Sequence, residues 1–136
     1  MLGYVVANDV SAREWQLRRG GGGQWIRGKS FDTFCPVGPV LALAGAAFDG
    51  DAARVSTTLN GETMQDSNTS DLIFDIASIV SYCSQGTTLE AGTLIITGTP
   101  EGVGMGRDPQ VWMKDGDVVT CTVDGIGSVT NTVVFE

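Results

Sequence analysis

Two side chains in the first quarter of the chain could do chemistry together. Asp9 follows the apolar run Tyr4-Val5-Val6-Ala7, where a carboxylate falls at the mouth of a strand. Lys29 is one of two lysines among 136 residues and sits between Gly28 and Ser30-Phe31. A carboxylate can hold a cation or a proton, and an ammonium neutralises developing negative charge. Together they suit an anionic, oxygen-bearing substrate. The chain contains no histidine, which removes the commonest general base, the commonest zinc ligand and every histidine-based triad. Cys35, Cys83 and Cys121 have no CxxC spacing and read as small buried hydrophobes.

The elements that must position Asp9 and Lys29 are mostly strands and turns. Residues 1–7 read as a strand, already under way at its first residues, and 8–16 as a turn into a short helix that Asp9 or Ser11 could cap. The glycine run at 20–23 reads as a flexible break before Gln24-Trp25-Ile26-Arg27 leads to Lys29. Pro36-Val37-Gly38-Pro39 forces extended or turn backbone, and Val40-Leu41-Ala42-Leu43 resumes a strand. Residues 54–65 spell a hairpin, Val55, Thr57 and Leu59 alternating up to the turn pair Asn60-Gly61. A polar run at 66–70 can cap the one clear helix, over 71–85. Leu72, Ile76, Ile79, Val80 and Cys83 share one face of it, and Gly86 ends it. Residues 89–97 read as extended with Leu94-Ile95-Ile96 buried. A second hairpin flanks Asp124-Gly125-Ile126-Gly127. Trp15, Trp25 and Trp112 read as packing residues, and Asp32 as a turn residue.

Residues 97–106 carry Gly98, Gly102, Gly104 and Gly106, which let backbone N–H groups approach a ligand. No Lys-Ser/Thr follows, so this is not a phosphate-binding P-loop.

Composition narrows the partners. A hydrophobic content of 42% is ordinary for one globular domain. The net charge of −8 argues against a nucleic-acid partner, since Arg18-Arg19 is the only adjacent basic pair. No apolar run approaches the ~20 residues of a membrane span. An odd cysteine count with no visible secretory signal suggests an intracellular, reducing setting, mitochondrial or cytoplasmic.

Four segments occur in one order: Asn8-Asp9-Val10-Ser11-Ala12-Arg13-Glu14-Trp15-Gln16; Gly28-Lys29-Ser30-Phe31-Asp32-Thr33 followed by Cys35-Pro36-Val37-Gly38-Pro39; Asn60-Gly61-Glu62 with Gln65; and Leu94-Ile95-Ile96-Thr97-Gly98-Thr99-Pro100-Glu101-Gly102-Val103-Gly104. Together they resemble the fumarylacetoacetate hydrolase superfamily over nearly the whole chain, and most closely its domain-containing protein 2 group. The resemblance implies a mixed β-sheet roll of β-rich α+β class, usually a homodimer. It implies Mg²⁺, with Mn²⁺ or Ca²⁺ able to substitute, and small 2-keto or dicarboxylic acid substrates. The reactions it implies are hydrolysis, decarboxylation or keto–enol isomerisation, with oxaloacetate tautomerisation in the group most like this chain. Carried onto this sequence, Asp9 is a metal ligand and Thr33 lies near the same cation. Lys29 and Arg13 are catalytic. Gln16 lines the site, and Thr99 with Gly98 meets the substrate's far carboxylate.

The departure is a missing Glu-x-Glu pair, the family's other two metal ligands, which occurs nowhere in residues 1–136. The chain is therefore expected to be the C-terminal part of one catalytic domain, to bind Mg²⁺ weakly by itself and to be nearly inactive alone. Its first strand would leave an edge prone to aggregation. Two other readings stand beside this one: a non-catalytic remnant that only pairs with intact subunits, and a small dicarboxylate-binding module built on residues 97–106.

Overall fold

Alternating β-branched residues separated by glycine-bearing turns produce the strands, and a computed structural model describes residues 1–17, 23–45 and 48–135. The strand β1 (Gly3–Ala7) pairs antiparallel with β2 (Val37–Leu43). The pairing is irregular between Tyr4↔Ala42 and Val6↔Gly38, where β2 carries extra residues and the Gly38–Pro39 peptide is cis. The second sheet holds β3 (Arg54–Leu59), β4 (Glu62–Asn68), β5 (Val118–Val123) and β6 (Gly127–Thr132) in the order β4-β3-β5-β6. Every ladder among the described residues is antiparallel. Asn60 and Gly61 take φ of 52° and 84°, the left-handed pair that lets a two-residue turn match strand twist. The Asn60 side chain then ties the turn to β5, donating to Asp117 Oδ1 at 2.9 Å and accepting from Val118 N at 2.8 Å.

The first strand lies across the second sheet. Val6, 2% exposed, joins Val119, Cys121 and Ile126 in the core, with Tyr4, Phe48 and Val129 around them. Burial pushes the Cys121 thiol up, opposed by a hydroxyl bond from Thr57. All three cysteines are free, with Cys35 and Cys83 half-buried.

Two helices are described. The short α1 (Arg13–Leu17) follows the turn after β1, and α2 (Ile76–Cys83) is the clear helix. It is shorter than the 71–85 expected. Asp75 takes its N-cap, accepting from Ser78 N at 2.6 Å, and this bond holds the Asp75 carboxyl below the usual carboxylate range. The polar run that seemed to cap it has other work. Asp66, Ser67 and Asn68 finish β4, and Asn68 caps a separate 3₁₀ turn, Thr69–Asp71. Gly86 has φ +70 just past the helix end.

Two expectations are corrected. Residues 89–97 form no ladder among the described residues, and Leu94 and Ile96 are 46% and 39% exposed, because they line an open cavity instead of a neighbouring strand. Trp25 and Trp112 are 60% and 48% exposed on the same cavity's wall and are not core residues, whereas Trp15 packs edge-on against Phe31 at 5.6 Å. Most of the glycine run at 20–23, with Arg18 and Arg19, lies outside the described residues.

Candidate active site

Asp9 lies just beyond β1, where Asn8 N donates to Pro36 O at 3.0 Å and keeps the chain beside β2. Lys29 closes a 3₁₀ turn, Arg27–Lys29. That turn is fixed to the start of α1 by Ala12 N donating to Gly28 O at 2.8 Å. From the other side the Arg27 guanidinium lies over the Phe31 ring, 4.1 Å from its centroid, and 5.3 Å from that of Trp15. So anchored, Lys29 Nζ donates to Asp9 Oδ2 at 2.5 Å and to Ser11 Oγ at 3.0 Å, and Ser11 donates to Asp9 O at 3.2 Å. The two charged side chains are 29% and 33% exposed, so solvent and a ligand can still reach them. Ser11 is a member of this cluster that its sequence position suggested only as a cap.

Arg13 and Gln16 stand one helical turn apart on α1, and Arg13 Nη1 donates to Gln16 Oε1 at 2.7 Å. Gln16, which the resemblance places at the site, packs behind Arg13. It is 0% exposed and absent from the cavity wall, because α1 presses it against Gly28. A Cβ on Gly28 would meet the Gln16 Cβ at 2.7 Å. Gln16 Nε2 has no hydrogen-bond partner among the described residues, an uncommon state for a buried amide.

The glycine-rich loop is held from β4. Gln65 Nε2 donates to Thr99 Oγ1 and to Pro100 O, both at 2.8 Å. Arg107 donates to Gly102 O at 3.1 Å and to Met64 O at 2.6 Å. Gly102, at φ +98, must be glycine: a Cβ there would meet Met64 O. At that position the glycine serves close backbone packing and not ligand approach. Gln65 belongs to the sequence pattern above, but its grip on the loop was not visible there. Arg107 gave no signal in the sequence at all.

Asp9, Ser11, Arg13, Lys29, Gly98 and Thr99 all line one cavity of about 1420 Å³. Its charged side chains are Arg13 and Lys29 against Asp9 and Glu90, so it is balanced within a chain of net charge −8. Thr33 is not on that wall. It is exposed, at φ +66 in the turn closed by Phe34 N and Phe31 O, a strained conformation for a β-branched residue. Asp32 occupies the same turn.

Among the described residues no group of three His, Cys, Asp or Glu side chains could hold a metal ion. Asp9 offers hard oxygen donors on the cavity wall, enough for one corner of a Mg²⁺ or Mn²⁺ site and not for a whole one. No described helix is long and apolar enough to cross a membrane.

The sheet-dominated fold thus brings a paired acid and lysine to the wall of one large cavity. Residues 1–134 match the family model described as fumarylacetoacetate (FAA) hydrolase C-terminal, and the chain belongs to the fumarylacetoacetate hydrolase family. Among curated relatives, oxaloacetate tautomerase fahd2, mitochondrial, of Xenopus laevis is 43% identical over 134 residues, which are 98% of this chain and 42% of the relative. Oxaloacetate tautomerase FAHD2A, mitochondrial, of Homo sapiens is 44% identical over the same shares. A fumarylacetoacetate hydrolase from psychrophilic Exiguobacterium antarcticum superposes with a TM-score of 0.92 at 43% identity, covering 99% of this chain and 47% of that one. The fumarylpyruvate hydrolase of Pseudomonas aeruginosa, solved in complex with Mn²⁺ and pyruvate, gives 0.86 at 37%, covering 99% and 55%. This chain thus spans less than half the length of those curated relatives.

Proposed function

We propose that this chain forms the lysine-bearing part of a divalent-metal-dependent site that enolises small 2-keto and dicarboxylic acids, with oxaloacetate tautomerisation as its reaction. The observation that carries this is the 2.5 Å contact of Lys29 Nζ with Asp9 Oδ2 on the wall of the cavity that Thr99 also lines. The names of the Xenopus and human relatives and the Mn²⁺–pyruvate complex of the Pseudomonas enzyme support it.

Asp9 would supply one ligand to Mg²⁺, Mn²⁺ or Ca²⁺, with Thr33 beside the same cation. A divalent ion there contributes Lewis-acid polarisation of a keto oxygen. Residues 1–136 contain no Glu-x-Glu triplet, so with Asp9 as their one carboxylate on the ion they would hold it weakly. Lys29 puts an ammonium where negative charge develops on the substrate oxygen, held by Asp9 and Ser11 so that little reorganisation is needed. Arg13 adds a second cation on the same wall, oriented through Gln16 Oε1. Gly98 and Thr99 receive the far carboxylate. Exposed Val37, Val40, Leu41 and Leu43 on β2 favour pairing of two copies. The names of the relatives favour a mitochondrial setting.

The test is ultraviolet decay of enol-oxaloacetate in the native protein, with and without EDTA. The proposal expects metal-dependent acceleration above the buffer rate without matching release of pyruvate. Carboxylate binding that ignores EDTA, with no acceleration, would favour the dicarboxylate-binding module instead.

A further inference from the structure

The hydrogen bonds of Gln65 fix which way the Thr99 hydroxyl can point. An amide side chain has two ends that look alike in outline, one that donates and one that accepts. Here the partner decides. The Pro100 carbonyl can only accept, so the atom 2.8 Å from it must be the amide nitrogen. The same nitrogen lies 2.8 Å from Thr99 Oγ1, which must therefore accept. A hydroxyl has one proton, and no hydrogen bond among the described residues uses the proton of Thr99. Thr99 is thus held as a donor on the cavity wall.

Gln65 is itself well held. It lies in β4 opposite Thr57, and its Cγ is 3.3 Å from where a Cβ on Gly102 would be. Arg107 pins that part of the loop to the carbonyls of Gly102 and Met64, the residue before Gln65.

We propose that Gln65 is a positioning residue that sets the polarity of the Thr99 hydroxyl and so selects keto acids carrying a second carboxylate. This rests on the reading above, in which Thr99 meets the distal carboxylate. A carboxylate oxygen only accepts, so it is recognised by a hydroxyl fixed as a donor and is repelled by one fixed as an acceptor. Gln65→Glu is the direct probe. Its carboxylate would claim the Thr99 proton and would also face the Pro100 carbonyl.

The experiment measures calorimetric binding of oxaloacetate and of pyruvate, which lacks the second carboxylate, to the native Mn²⁺-loaded protein and to the variants T99V, Q65E, Q65M and T99V/Q65M. Thermal denaturation of each variant checks folding. The expected result is about tenfold weaker oxaloacetate binding in T99V and Q65E, with pyruvate changed less than twofold. Q65M should show a smaller loss, and T99V/Q65M should be no worse than T99V, because both changes remove one function. Equal weakening of both ligands by Q65E and Q65M would mean that Gln65 only packs, and would overturn the proposal. So would an unchanged oxaloacetate-to-pyruvate preference in Q65E while T99V loses it. If T99V itself keeps the preference, the distal-carboxylate reading fails first and this proposal with it. Should Q65E not fold, comparison of T99V, Q65M and their double variant decides alone.

Discussion

Gly28 lies directly against Gln16: a Cβ added to it would sit 2.7 Å from the Gln16 Cβ and 2.9 Å from its Cα. This contact joins the turn that carries Lys29 to the helix that carries Arg13. Gly28→Ala should therefore separate the two cations of the cavity while overfilling a site with no free volume. The expected cost is about 1–3 kcal/mol in urea denaturation, with substrate affinity falling as well. Stability and affinity both equal to those of the parent protein would show that the two elements move independently.

Lys29→Met keeps the aliphatic stem and removes the ammonium that Asp9 and Ser11 hold. Enolisation should fall by about 10²-fold or more, as when one oxyanion-stabilising donor is lost, with the protein still folded by circular dichroism. Lys29→Arg should not restore the rate, because a planar guanidinium cannot take the place of a compact ammonium between those two oxygens. Full activity in either variant would remove Lys29 from the chemistry.

The backbone of Thr33, at φ +66, has a consequence of its own. A β-branched residue in the left-handed region costs about 1–2 kcal/mol relative to its ordinary conformation, and glycine escapes that cost. Thr33→Gly should stabilise the metal-free protein by about 1 kcal/mol. If Thr33 stands near the cation, the same change weakens Mn²⁺ binding. A stability gain with unchanged Mn²⁺ affinity would leave Thr33 a turn residue only.

The acid limb of stability follows from three carboxylates. Asp66 is held low by its hydrogen bonds from Arg54, Asp75 by the Ser78 N–H, and Asp117 by Asn60 and the Lys114 N–H. A carboxyl whose folded pKa is lowered contributes stability that is complete above its unfolded value, about 3.9. That contribution is lost as pH falls through the lower folded value. The urea midpoint should thus change little on account of these groups above about pH 5 and drop below about pH 4. Asp75→Asn keeps a capping oxygen but carries no titrating proton, so it should shallow that drop. An acid limb unchanged in D75N would exclude the Asp75 cap as a contributor.

Legibility in the sequence followed the range of the interactions. The Asn60-Gly61 hairpin was readable because a left-handed pair and alternating strands are decided within a dozen residues. The clear helix was readable by its apolar face. Its start was not, because Asp75 competes with an equally polar run five to nine residues earlier, and only strand pairing shows that Asp66–Asn68 belong to β4. Residues 94–96 read as buried from hydrophobicity alone, yet burial of an extended run depends on what lies beside it, and here that is a cavity. Asp9 and Lys29 stood out by type and scarcity. That they touch across 20 residues, and that Gln65 reaches Thr99 across 34, are tertiary facts with no periodic trace in the chain. Gln16 was assigned to the site by resemblance, and its full burial against Gly28 behind Arg13 is a packing fact that no local pattern announces.

The role of Asp9 as a metal ligand is tested most directly by calorimetric titration of Mn²⁺ into the native protein and its Asp9→Asn variant, each with and without pyruvate. Asparagine keeps the size and one oxygen but removes the charge that a hard cation needs. The account predicts at least tenfold weaker Mn²⁺ binding in D9N and loss of any enhancement by pyruvate, while the melting temperature shows the fold intact. Equal Mn²⁺ affinity in the two proteins would contradict it, and Asp9 would then be only the structural partner of Lys29.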